Sequence, residues 1–229
     1  MVTCNDIIQL KLTEDEIKSC IRKTISIQFL DNLRRRHPNV QFDCKLRGYV
    51  GELAVNKWLV TNGIQITKTN YLHDDYNIDI DFLIAGKNLE LKTSLIPDAD
   101  YNINNVIQNR DIKLIRRGEE SINNLRGDIH LQIYFDQKRK AKDQWLKAQH
   151  IDLTSKDVNY LYEKFLAKAY LEKTYLVAWI DKPSLISKLT QLPENQRYWT
   201  FTGSQRQFWK CPLSNSRPPI ELIQYLKSI

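Results

Sequence analysis

Within NIDIDFLIAGKNLELKTS, residues 77–94, four side chains have the means to do chemistry: Asp79, Asp81, Glu90 and Lys92. Gathered in one place, three carboxylates repel one another unless something neutralises them. A divalent cation would do so. Mg²⁺ takes oxygen ligands and typically uses one or two carboxylates, waters and phosphate oxygens. An ammonium beside it can position an attacking water and offset the charge of a transition state. The plain alternative is an amphipathic hairpin with a solvated charged face.

The local pattern says how these residues could meet. With Gly86-Lys87 as a two-residue type II′ turn, Ile84 faces Leu89, Leu83 faces Glu90, Phe82 faces Leu91, Asp81 faces Lys92 and Asp79 faces Ser94. Opposed residues share a side of the sheet, as do positions two apart. Asp79, Asp81, Glu90 and Lys92 then occupy one face, with Ile78, Ile80, Phe82, Ile84, Leu89 and Leu91 on the other. Upstream, KLRGYVGELAVNKWLVTNG (45–63) predicts a helix with an apolar stripe of Leu46, Tyr49, Val50, Leu53 and Ala54, stopped by Gly63. Glu52 stands at the border of that stripe, either as a solvated flank or as a further acid.

At these residues the sequence resembles the PD-(D/E)xK nuclease superfamily, the restriction-endonuclease-like fold. Its pattern is an Asp heading one strand, Glu/Asp-x-Lys in the adjacent strand, and often a Glu on a preceding helix. The matching residues are Asp81, Glu90-Leu91-Lys92 and Glu52, with Asp79 a second candidate for the Asp position and no Pro before it. The resemblance implies an α/β fold with an αβββαβ core over about residues 46–135, in which a central mixed sheet is flanked by helices. An N-terminal helix and a C-terminal α+β extension over about 150–229 complete a single domain, 1–229. It further implies that Asp81 or Asp79, Glu90 and the Leu91 carbonyl hold Mg²⁺, with Mn²⁺ an acceptable substitute. Lys92 activates water, and Glu52 joins through water or a second metal. The implied reaction is phosphodiester hydrolysis of double-stranded DNA leaving a 5′-phosphate. A type II restriction enzyme working as a homodimer on a palindrome is the first expectation. A Holliday-junction resolvase or a repair or mobile-element nuclease shares the residues, and a DNA-binding protein that kept the fold without catalysis is the alternative of a different class.

The rest of the chain must position and feed such a site. Lys and Arg exceed Asp and Glu by three in residues 1–50 and by four in both 101–150 and 151–229, but fall four short in 51–100. A basic envelope round one acidic quarter suits a polyanion, because cations that neutralise phosphates release counterions. If residues 102–118 are helical, Arg110, Lys113, Arg116 and Arg117 share a basic face. Lys138, Arg139 and Lys140 start a second patch over 137–150, and Arg197, Arg206 and Lys210 interleave with aromatic residues in RYWTFTGSQRQFWK, a hairpin about Gly203-Ser204.

Thr13-Glu14-Asp15-Glu16 has the form of a capping box for a first helix reaching about Arg36 and stopping before Pro38. Further elements are a strand in GIQITKTN, a loop holding His73-Asp74-Asp75, strands over 127–135 and 174–180, a helix over 158–173 and a closing helix after Pro218-Pro219. No apolar run suits a membrane span or export signal. No GxxxxGK[ST] loop for a nucleotide cofactor is present. Four scattered cysteines argue against a zinc module and for a reducing cytoplasm.

Overall fold

The structure, a computed structural model, describes residues 1–26, 36–69, 80–117, 121–201 and 205–229. Asp79, the His73-Asp74-Asp75 loop, Arg34, Arg35 and the Gly203-Ser204 turn lie outside the described residues.

Strand β1 (Ile8–Gln9) precedes α1 (Glu14–Ser26). The capping box is present: the Thr13 N–H donates to Glu16 Oε2 at 2.7 Å, and the Glu16 N–H to Thr13 Oγ1 at 3.2 Å. Helix α2 (Pro38–Thr61) starts well ahead of the expected Lys45. Pro38 opens this helix rather than merely ending the one before it, because a missing N–H costs nothing in the first turn. Next come β2 (Lys68–Thr69), β3 (Phe82–Ile84), β4 (Lys87–Ile96), α3 (Ile103–Asn109), β5 (Leu114–Arg116) and β6 (Ile129–Lys138). They are followed by α4 (Arg139–Ala148), α5 (Val158–Lys164), α6 (Ala169–Glu172), β7 (Thr174–Asp181) and α7 (Lys182–Thr190). Strands β8 (Tyr198–Phe201) and β9 (Arg206–Trp209) and helix α8 (Pro219–Lys227) close the chain.

The central sheet runs β1-β7-β6-β4-β3-β2. Strands β4 and β6 are parallel and the other pairs antiparallel. The fold is thus α/β, with a mixed sheet flanked by helices. β7 belongs to that sheet although it lies past residue 150. A second sheet, β5-β9-β8, stands apart.

One core buries Phe82, Ile84, Leu89, Leu91, Ile129, Leu131 and Ile133 against α1 and α2. A second, on the reverse face, joins Ile96, Tyr134, Ala178 and Ile180 to α3, α7 and the small sheet. Helix α2 comes close enough to β4 that a Cβ on Gly51 would lie 2.5 Å from Thr93 Cγ2. Any larger residue there would force the helix off the strand.

Three local expectations are corrected. The hairpin turns at Ala85-Gly86, with φ of 47° and 72°, so it has positive φ at both central positions, a type I′ geometry, rather than the expected type II′ at Gly86-Lys87. The segment 102–118 is helical only to Asn109, and Arg110 is already extended. The segment 158–173 breaks into α5 and α6 around Leu166 at φ 51°. Among the described residues no helix is long and apolar enough to cross a membrane.

Candidate active site

The turn sets the register, with Ile84 opposite Lys87, Leu83 opposite Asn88 and Phe82 opposite Leu89. Each pairing is displaced by two residues from the expected one. A slip of two leaves every side chain on its own face, so the division into an apolar and an acidic side is unchanged. What changes is the neighbour of Asp81. Its N–H donates to the Leu89 carbonyl at 3.0 Å, and its Oδ2 accepts the Leu91 N–H at 2.5 Å. Extending the register, Asp81 comes beside Glu90 rather than directly opposite Lys92. Lys92 nevertheless joins the cluster from two residues along β4, with Nζ 2.5 Å from Glu90 Oε1.

The sheet adds a residue that sequence reasoning missed. Parallel pairing sets His130 of β6 beside Glu90, and His130 Nδ1 lies 3.0 Å from Glu90 Oε2. His130 is 1% exposed, and its Nε2 has no hydrogen-bond partner among the described residues. The signal was present in GDIHLQIYF: once Ile129, Leu131 and Ile133 line one face, His130 and Gln132 must line the other. Gln132 is fully buried. Its Nε2 donates to the Lys92 carbonyl and to Ser94 Oγ, both at 3.0 Å, and its Oε1 accepts the Lys113 N–H at 3.1 Å.

The two carboxylates are driven in opposite directions. Burial pushes Asp81 up to about 7, and the Glu90 charge adds to this against the pull of the Leu91 N–H, Lys92 and Lys45. Burial would also raise Glu90, but the His130 hydrogen bond and the Lys92 charge overcome it and hold Glu90 down at about 2. A pair of acids separated in this way can divide acid and base roles in a site, and buried structural networks separate them too.

Mg²⁺ fits this donor set. Asp81 spends Oδ2 on Leu91 and, among the described residues, has no hydrogen bond to Oδ1, while Glu90 offers oxygens shared with Lys92 and His130. The N–H and C=O of one strand residue point to the same neighbour, so the Leu91 carbonyl turns toward Asp81 as its N–H does. Among the described residues no group of three or more His, Cys, Asp or Glu could hold a metal by itself. Mg²⁺ here would complete its shell with water and phosphate, as it commonly does. Glu52 comes from the other side of the sheet, next to Gly51, whose neighbours are Thr93, Ile133 and Leu91.

The predicted DNA contacts disperse. Arg110, Lys113, Arg116 and Arg117 cannot share a helical face, because α3 ends at Asn109 and β5 takes over. Arg110 Nε pairs with the buried Asp100 at 2.5 Å. Arg116 turns onto the Tyr198 ring at 4.1 Å. Lys113 is pushed down to about 8, first by burial and then by the charges of Arg47, Arg139, Arg36 and Arg110. In the second patch, Lys138 donates to the Asp100 carbonyl, Arg139 lies 3.7 Å from Asp98, and the Lys140 N–H donates to Asp98 Oδ1 at 2.8 Å. Arg117 and Lys140 are exposed. No protein-family model, curated protein or solved structure matches the chain.

Proposed function

We propose that this chain is a Mg²⁺-dependent DNA endonuclease with a restriction-endonuclease-like core. The reading rests on one observation: Asp81, Glu90 and Lys92 meet on one face of the β3–β4 hairpin, with the two carboxylates in neighbouring register positions. Within the central sheet the order α2, β2, β3, β4, α3, β6 supports the αβββαβ core, with β5 between α3 and β6 diverted to the second sheet.

Bound Mg²⁺ would polarise the scissile phosphate and lower the pKa of a coordinated water. The chain supplies the rest. Asp81 Oδ1, Glu90 and the Leu91 carbonyl would hold the ion, and His130 keeps the Glu90 carboxylate ionised and oriented. The Lys92 ammonium, 2.5 Å from Glu90, holds the attacking water and offsets charge gathering on the phosphoryl oxygens. Attack on phosphorus breaks the bond to the 3′ oxygen and leaves a 5′-phosphate.

The fuller form of this reading is a cytoplasmic type II restriction enzyme acting as a homodimer on double-stranded DNA. A resolvase or repair nuclease would use the same residues. One observation favours a second reading, a DNA-binding protein without catalysis: both Glu90 oxygens are already engaged by its own chain.

Purified protein incubated with phage, plasmid and four-way-junction DNA, with Mg²⁺ and with EDTA, separates these. Discrete metal-dependent bands lost in Lys92→Ala and Glu90→Ala are expected for a restriction enzyme. Cutting of junctions alone would indicate a resolvase, and salt-dependent binding with no cutting would leave the second reading. Equal cutting by both variants and wild type would sink the site assignment.

A further inference from the structure

The small sheet β5-β9-β8 has two unlike faces. Leu114 and Tyr198 both pair with Trp209, and Arg116 pairs with Gln207. This side looks inward: Leu114 is fully buried and Trp209 is 4% exposed. Tyr198 and Trp209 meet edge to face at 6.5 Å, and Arg116 covers both rings.

The other face carries rings and cations. Trp199 opposes Phe208, Ile115 opposes Phe208, and Phe201 opposes Arg206. Trp199 and Phe208 stack at 4.8 Å with 19° between their planes. Both are half-buried, while Phe201 is 41% exposed. Following the alternation of each strand, Arg117, Arg206 and Lys210 lie on this same side, and all three are exposed. The strands themselves, LIR, YWTF and RQFW, hold no acidic residue. Flat rings set among exposed cations suit a chain of aromatic bases joined by phosphates, although the half-buried Asp111 lies against Trp199 and near Lys210 and offsets part of that charge. Ring faces can take up bases only when these are not already stacked in a duplex.

The platform is tied to the candidate active site. The Lys113 N–H, at the entrance to β5, donates to Gln132 Oε1 at 3.1 Å, and Gln132 Nε2 donates to the Lys92 carbonyl at 3.0 Å. These two hydrogen bonds fix the start of β5 against the strand that carries Lys92.

We propose that the outer face of β5-β9-β8 binds single-stranded DNA, with bases stacking on Trp199, Phe201 and Phe208 and phosphates meeting Arg117, Arg206 and Lys210. The choice of DNA over RNA rests on the nuclease reading; the platform itself does not.

Fluorescence anisotropy in EDTA tests it, using the full chain with a labelled DNA strand, the matching duplex and an RNA strand of the same sequence. The DNA strand should bind tightest. Trp199→Ala and Phe208→Ala should each weaken binding about ten-fold, with Trp199→Phe keeping most of it. Arg206→Ala, an exposed change that spares the fold, should lower the slope of log Kd against log salt by about 0.7. Duplex bound as tightly as strand, RNA bound tighter than DNA, or an Arg206→Ala slope equal to wild type would overturn the proposal. So would strand affinity unchanged in a folded Trp199→Ala. Lys92→Ala should bind the strand like wild type. If wild type binds the strand but cuts no DNA with Mg²⁺, the nuclease reading fails and the platform stands. If it cuts duplex and ignores the strand, the platform fails and the nuclease reading stands.

Discussion

Two ionic clusters in this chain, one buried and one half-buried, look alike at first sight. In one, fully buried Asp43 accepts from Tyr170 Oη at 2.5 Å and from Arg47 Nε at 2.9 Å, with Lys142 Nζ 3.7 Å away. In the other, Asp81 and Glu90 share Lys92, His130 and the Leu91 N–H. Both displace acidity strongly. Burial and Asp43 push the Tyr170 hydroxyl well up, and burial pulls Lys142 down. Displaced acidity therefore does not distinguish a site from a structural network. Balance does. One carboxylate amid three donors has no acceptor left over, whereas two adjacent carboxylates share three donors between them and keep acceptor capacity for a cation.

Breaking each cluster should cost the molecule different things. Asp43→Ala strands Arg47 and Lys142 in the interior, so it should lose about 3–5 kcal/mol of stability, read as a fall in the urea midpoint with any activity lost in step. Lys92→Ala should instead reduce Mg²⁺-dependent cleavage on the order of 10²–10³-fold while costing about 1 kcal/mol of stability in urea, since Glu90 keeps its contact with His130. A cleavage loss matched by unfolding would erase the distinction between the clusters.

The pH dependence of stability sharpens it further. The carboxyl of Asp81 titrates at about 7 when folded and near 4 when unfolded. The folded state therefore holds a proton that the unfolded state releases. Its stabilising effect is fully present below about pH 4 and is lost as pH rises to about 7. Asp81→Asn keeps no such dependence, so it should gain roughly 4 kcal/mol over wild type at pH 8 compared with pH 4, in the absence of metal. Parallel stability curves for the two proteins across that window would contradict the burial of Asp81. A smaller effect is expected from His130→Asn, which removes the imidazole that orients Glu90. Mg²⁺ affinity, followed by calorimetry, should fall about ten-fold or somewhat more. An unchanged affinity would make His130 a packing residue.

Alternation alone was enough to separate the two faces of residues 80–92, because a period of two survives a slip of two. It could not say that Asp81 adjoins Glu90, since that depends on Ala85 adopting a positive φ, which alanine does not advertise. Pro38 was read as a stop because proline disrupts helices, yet it is tolerated as the first residue of the next. The basic helix over 102–118 failed because Leu114–Arg116 finds its partner in Arg206–Trp209, a pairing remote in sequence. The same pairing sorts the aromatic residues of RYWTFTGSQRQFWK into the inward Tyr198 and Trp209 and the outward Trp199 and Phe208. His130 stood in plain view on the polar side of its strand, but only the parallel register with β4 gives it Glu90 as a neighbour.

Nicking of supercoiled plasmid by wild type, Lys92→Ala and Tyr170→Phe, in Mg²⁺ and in EDTA, tests the central claim most directly. Tyr170→Phe removes one donor from Asp43 and leaves the β3–β4 face untouched. The expected result is Mg²⁺-dependent nicking by wild type and Tyr170→Phe and none by Lys92→Ala. Nicking by Lys92→Ala at the wild-type rate, or no nicking by wild type under any metal condition, would contradict it.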